Sequence, residues 1–242
     1  MSVLRIYGIG VALLLAATGF VSAEEQKPKT LAEAKAEFVK ADKALNEAWA
    51  AAKKALGESD LQVKQRAWLK YRDAQARAAN RDNGEPEGKQ SAAYFETSAA
   101  LTQSRADWLR ARVKNEDDSL TGLWIDSFGG TLEIVQEKDR LFFAIDVVRG
   151  PTFHLGSIAG VATWNPPLGW FSDKGRHKDK TEESNLAFVS RGGVLEIIGA
   201  QTSYYHGARA YFDGDYCKVG VLDEKRRAEI LREAEAGVVE EK

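Results

Sequence analysis

The hydrophobic period of this chain changes once, near residue 119, and that change sets its fold class. From about residue 27 to 115 the sequence is rich in Ala, Lys, Glu and Arg, and its apolar side chains recur every three or four positions, the spacing of amphipathic helices. After Ser119 the period falls to two. Leu132 and Ile134 alternate with Glu133 and Val135, and Leu141, Phe143, Ile145 and Val147 alternate with Phe142, Ala144 and Asp146. Period two sends successive side chains to opposite faces of a strand. No long helix interrupts the strands that follow, so the pattern predicts an α+β protein of two domains.

Punctuation divides the first half into three helices. Thr30-Leu31-Ala32-Glu33 has the spacing of a capping box, and Gly57 is placed to end the first helix. Ser59-Asp60-Leu61-Gln62 opens a second helix in the same way, and Asn80 to Gly88 reads as a loop. A third helix runs from about Ser91 to Lys114 with Phe95, Ala99, Thr102, Ala106, Leu109 and Val113 on its apolar face. Three such helices make an antiparallel bundle. In the second half, Gly129-Gly130 and Lys138-Asp139-Arg140 are hairpin turns, and further strands are expected near 154–164, 185–190, 193–199, 208–213 and 215–220. About eight short strands predict a small antiparallel barrel or sandwich. Leu222 to Val238 is a charged final helix. The expected boundaries are 1–23 for a signal peptide, 24–118 for the helical domain, 119–221 for the β domain and 222–242 for the charged helix and tail.

Residues 1–23 combine Arg5, an apolar run from Ile9 to Val21, and the small-residue site Val21-Ser22-Ala23, which is the pattern of a secretory signal. No cysteine lies near that site to carry a lipid, and no other segment is long enough to span a bilayer. The expectation is an exported chain, periplasmic or secreted. The only cysteine, Cys217, reads as a packing residue rather than half of a disulfide. A formal charge of −2 gives no footprint for nucleic acid.

One helical stripe stands out. Gln65, Trp68, Tyr71, Arg72 and Gln75 step by three and four, so they share one face of the second helix. A large aromatic, an arginine and two amides on one stripe read either as a half-polar core or as a recognition surface, and Arg72-Asp73 as a bundle ion pair or a functional pair. A second candidate is the loop that follows Trp164 to Phe171, where Lys174, Arg176, His177, Lys178 and Lys180 gather positive charge. It is either a partner-binding loop or a solvated hairpin tip. A third is a ligand site at the mouth of the β domain near Arg149, His154, Tyr205 and His206. The histidines His154, His177 and His206 lack the spacing of a zinc motif, and Gly156-Ser157-Ile158-Ala159-Gly160 lacks that of a nucleophile elbow. The residues therefore point to a binding protein with no cofactor, no metal and no catalytic set.

The segment Gln65-x-x-Trp68-x-x-Tyr71-Arg72-Asp73, with Arg105 and Leu109 on the third helix, resembles the LprI-like lysozyme-inhibitor N-terminal domain family over roughly residues 30–112. The β half resembles a domain appended to some of these proteins, through Gly122-Leu123-Trp124, Gly130 to Ile134, Val147 to Pro151, His206-Gly207-Ala208 and Asp213 to Tyr216. Members of the family usually carry cysteines near the end of the second helix and the start of the third. Here those regions read Ala74-Gln75-Ala76 and Ala99-Ala100-Leu101, so the staple is missing. The resemblance implies an envelope protein that binds and inhibits lysozyme, with Trp68, Tyr71, Arg72 and Asp73 as partner-binding residues. Another cell-envelope protein as partner is the alternative.

Overall fold

The computed structural model describes residues 28–86, 90–114, 119–150, 153–174 and 182–237. The expected signal peptide lies outside the described residues, as do the acidic boundary at 116–118 and the last residues of the tail. The chain forms three helices, α1 (Leu31–Leu56), α2 (Ser59–Asp82) and α3 (Ala92–Lys114). Eight strands follow: β1 (Gly122–Ile125), β2 (Thr131–Glu137), β3 (Arg140–Arg149), β4 (His154–Asn165), β5 (Leu168–Ser172), β6 (Asn185–Arg191), β7 (Val194–Ala200) and β8 (Gly214–Gly220). A last helix, α4 (Glu224–Ala236), ends the described chain. This is the α+β layout that the change of period predicts.

The capping box at the start of α1 is formed, with the Glu33 amide donating to Thr30 Oγ1 at 3.3 Å and the Thr30 amide donating to Glu33 Oε2 at 2.7 Å. The start of α2 differs from expectation. Glu58 alone separates Gly57 from the helix, so it takes the N-cap position, and its side chain pairs with Lys53 at 2.6 Å instead of capping. Ser59 is already helical. The helices run up, down and up. Phe38 meets Phe95 near the starts of α1 and α3, while Gln65 faces Arg105 and Asn80 faces Ser91 across the α2–α3 hairpin. On α1 the buried residues Ala34, Ala41, Leu45, Ala48 and Ala52 follow steps of seven, four, three and four. On α3 the partner face is Phe95, Ala99, Thr102, Ala106 and Leu109. Small side chains on both seams bring the two axes close, since interaxial distance is set by the residues at the contact.

All eight strands pair antiparallel with their sequence neighbours, and β8 closes on β1, so the β domain is a closed barrel and not a sandwich. Two strands come from segments without a clear period-two signal: β1 is short, and β5 follows Pro166-Pro167 in the aromatic stretch. The strand expected at 208–213 is absent. A turn closes there through the Ala210 amide on Gly207 O at 2.9 Å, and Ala210 and Phe212 fold into the end of the barrel instead of pairing. The interior is filled by Leu132, Ile134, Phe143, Ile145, Phe171, Phe188, Ile197 and their neighbours, as expected of eight strands. Gly160 makes room for this packing, because a Cβ there would stand 2.3 Å from the Phe171 ring.

Helices cover two sectors of the barrel's outer surface. Ile125 and Cys217 of β1 and β8 join one apolar cluster with Trp68, Trp108 and Leu109 of the bundle. Ile230 and Ala234 of α4 pack on Val135, Phe142, Ala144 and Ala159. That second contact explains why β3 is apolar on both faces. Arg226 of α4 ties the helix to β2 by donating to Glu133 Oε1 at 2.9 Å, and Glu233 on the same helix orients the guanidinium by accepting through Oε1 at 2.9 Å.

Gly160→Ala forces Phe171 from its rotamer and is expected to lower unfolding free energy by about 1–3 kcal/mol. Val39→Ala, at a position 67% exposed, is expected to stay within about 0.5 kcal/mol. Urea titrations of the two variants check this.

Candidate functional site at the bundle–barrel junction

The stripe on α2 divides its labour between the bundle and the barrel. Trp68 is 1% exposed and lies between two guanidinium groups, Arg72 at 5.5 Å and Arg105 at 5.7 Å from its ring centre. Arg72 also covers Phe38 of α1 at 5.5 Å and holds Asp73 Oδ1 through Nε at 2.9 Å and Nη2 at 2.8 Å. Gln65 accepts from Arg105 Nε at 3.0 Å. One turn further along α2, the side chains reach the barrel. The Tyr71 hydroxyl donates to Val148 O at 3.2 Å, its ring meets Phe128 edge-on at 5.0 Å, and Gln75 Nε2 donates to Gly150 O at 2.7 Å. Val148 lies near the end of β3 and Gly150 directly follows it, so α2 grips the chain where β3 ends.

The stack continues through α3. Arg105 lies over Trp108 at 4.5 Å, Arg112 lies over the same ring at 5.1 Å, and Trp108 Nε1 donates to Asp215 O on β8 at 2.9 Å. Arg112 then faces the Asp215 carboxylate at 3.6 Å. Arg105 is 1% exposed, and no carboxylate among the described residues pairs with it. Burial, with Arg112 adding repulsion, brings its guanidinium down to about 10. Two indole faces and one amide oxygen therefore replace the usual counter-ion. Contacts of this kind contribute about 0.5–2 kcal/mol each for a cation over a ring and about 1.5–3 kcal/mol for a hydrogen bond to a charged group. Together they offset a desolvation cost of several kcal/mol.

A second buried charge closes the neighbouring end of the barrel. Arg149 and Asp126 are each 1% exposed and form an ion pair. Asp126 Oδ1 also accepts from the amides of Phe128 at 2.8 Å and Gly130 at 2.7 Å, which shapes the β1–β2 turn. Gly130 is required by close approach, since a Cβ would lie 2.7 Å from Arg149 Nη2. The other face of Arg149 lies under Tyr211 at 5.0 Å. Burial pushes the Tyr71 hydroxyl up to about 12 against the pull of Arg149, and Tyr216 moves up for the same first reason.

The remaining candidates fall elsewhere. His154 opens β4 opposite Arg149, and His206 Nε2 lies 3.1 Å from Thr202 Oγ1 with its ring against Phe212 at 5.5 Å. The Tyr205 hydroxyl donates to the buried Asp173 Oδ2 at 2.7 Å. Arg149, His154, Tyr205 and His206 thus share one end of the barrel, but Arg149 is committed to Asp126, Tyr205 to Asp173 and His206 to Thr202, and the turn at Thr202–Tyr205 packs with Phe212 at that end. Lys174 is exposed just after β5, while Arg176, His177, Lys178 and Lys180 lie outside the described residues. No group of His, Cys, Asp and Glu set to hold a metal occurs among the described residues, and no described helix is long and apolar enough to cross a membrane. Trp108, Asp126 and Asp215 are absent from the sequence-level site. A signal existed for Asp126, an acid opening the turn Ser127-Phe128-Gly129-Gly130.

The geometry defines a helical bundle whose polar–aromatic face is sealed onto a closed β-barrel. The bundle is LprI-like: residues 21–115 match the family model described as Lysozyme inhibitor LprI, and the barrel lies outside the match. No curated protein and no solved structure matches the chain.

Two outcomes follow from this junction. Trp68→Ala is expected to cost about 3–5 kcal/mol, read as a fall in the midpoint of chemical unfolding. Burial also holds the Cys217 thiol up to about 12, from 9.0. The folded state therefore keeps a proton that the unfolded chain releases. Its stabilising share is complete below pH 9 and is lost as pH rises toward 12, at about 1.4 kcal/mol per pH unit. Between pH 9 and 10 the stability of Cys217→Ala should fall less steeply than that of the wild type.

Proposed function

We propose that this chain is an exported, non-catalytic binding protein that acts in the periplasm by occluding the cleft of a muramidase. The match of residues 21–115 to a lysozyme-inhibitor family carries the reading. The described geometry is in keeping with it. The family-like residues build a rigid, pre-packed scaffold, and preorganisation of that kind keeps the entropic cost of binding low. A bundle without the family's cysteines still has such a scaffold, because the barrel clamps α2 and α3 through Tyr71, Gln75 and Trp108.

Protein lacking residues 1–23 is expected to bind at least one of the c-type, g-type and i-type lysozymes with submicromolar Kd and to suppress its lytic activity. Calorimetry at low and physiological salt, beside a cell-wall lysis assay, checks this. Absence of binding to all three overturns the lysozyme reading in favour of another envelope protein as partner.

A further inference from the structure

Arg149 has more hydrogen-bonding capacity than its surroundings use. It follows Ile145 and Val147 on the inward face of β3, so its guanidinium lies at the end of the barrel interior. Nη2 pairs with Asp126, whereas Nε and Nη1 are buried with no acceptor among the described residues. Buried polar groups in folded proteins are nearly always paired, so two open donors on one side chain call for a reason. Arg105 also leaves Nη2 unpaired, but two indoles enclose it inside the junction. Arg149 lies instead beneath one exposed ring, that of Tyr211.

Tyr211 is a weakly held cover. The hydroxyls of Tyr71, Tyr205 and Tyr216 donate to Val148 O, Asp173 Oδ2 and Phe212 O. That of Tyr211 has no partner among the described residues, and the ring rests on the guanidinium at 5.0 Å. Ala210 and Phe212 anchor the backbone on either side by burial in the barrel end. Two more basic side chains flank the same turn. A Cβ on Gly150 would lie 3.9 Å from His154 Cδ2 and 3.9 Å from Arg209 Cβ. Arg209 is exposed and has no acidic partner among the described residues. The nearby acids are engaged. Asp126 Oδ1 accepts from two amides, and Asp213 Oδ1 accepts from the Gly199 amide at 3.1 Å. Because Asp126 cancels Arg149 and Asp213 stands near Tyr211, this end balances one added negative charge at most. That suits a carboxylate and disfavours a phosphate dianion.

We propose that the barrel end beneath Tyr211 is a binding site for the carboxylate of a small organic acid, held by Arg149 and Arg209. The Tyr211 ring turns outward by rotation of its side chain, and the carboxylate takes its place. The ligand oxygens accept from the open donors of Arg149, a charge-assisted contact that a guanidinium makes well, and Arg209 supplies the balancing charge. Tyr211 then acts as a gate, because the apparent affinity is reduced by the fraction of molecules in which the ring still covers the site. The site is independent of the lysozyme reading, since it lies on the barrel, outside residues 21–115.

The test uses the protein without residues 1–23 and follows the Arg149 Nε–H resonance in nitrogen–proton correlation spectra at constant ionic strength. Sodium acetate is expected to shift this signal saturably, with Kd on the order of 1–10 mM for so small a ligand. Acetamide, its neutral isostere, should leave the signal in place, and inorganic phosphate as the dianion should bind more weakly than acetate. Arg209→Gln is expected to weaken acetate binding about two- to five-fold, as the loss of one exposed charge pair does. Tyr211→Ala is expected to tighten it about two- to five-fold, because one cation–ring contact no longer competes. Both side chains are exposed, and thermal unfolding close to that of the wild type shows that the fold is kept. No saturable shift with acetate overturns the proposal, and so does an equal response to acetamide or tighter binding of phosphate. Wild-type affinity in both variants places the acetate elsewhere and overturns it as well.

Discussion

Arg105 is a buried cation held by ring faces, and the rest of the molecule is arranged around it. The sequence of contacts Phe38, Arg72, Trp68, Arg105, Trp108, Arg112 and Asp215 alternates aromatic and guanidinium groups across α1, α2 and α3 and ends on β8. Each guanidinium is planar and weakly hydrated, so it stacks on an indole at smaller desolvation cost than an ammonium would incur. Lysine at 105 would lose the Nε donor to Gln65 and the flat contact with both tryptophans. One interaction type therefore links the three helices and carries the bundle onto β8.

The seat in turn determines what the barrel can expose. Cys217 and Ile125 lie outside the barrel interior, yet they are buried because Trp108 and Leu109 cover them. On the opposite flank Asp146 faces outward from β3, and burial with little neutralising charge raises its carboxyl above the ordinary range. Without α4, Phe142 and Ala144 would meet water. The helices act as lids on two sectors, and the sector they leave open is the one that carries Trp170.

Much of this architecture is legible in the sequence, and the limits have physical causes. The period change gives both domains, because periodicity reports which face is buried. The Thr30–Glu33 box is legible because both partners lie within one turn. The stripe on α2 is also legible as a shared face, but not what it faces. Tyr71 reaches Val148 and Gln75 reaches Gly150, contacts of tertiary origin that no local pattern encodes. The same holds for Asp126 with Arg149. β5 is hidden because its inward residues are Gly169 and Phe171, and a glycine that yields space to Trp164 and Leu141 leaves no apolar mark. The expected strand at 208–213 has apolar residues for a different reason, since Ala210 and Phe212 close the barrel end.

A residue committed to holding two domains together has little surface left for recognition. Trp68, Arg105 and Trp108 are each 1% exposed, so they act on a partner only through the shape they enforce. Residues shared with a binding family can persist for that reason alone: they keep the bundle rigid whatever its outer face meets. On the described surface Leu168, Trp170 and Ile198 stand where neither the bundle nor α4 reaches, on strands whose inward faces already supply the barrel's stability. Such positions can change with little effect on the fold, whereas the stack behind them cannot.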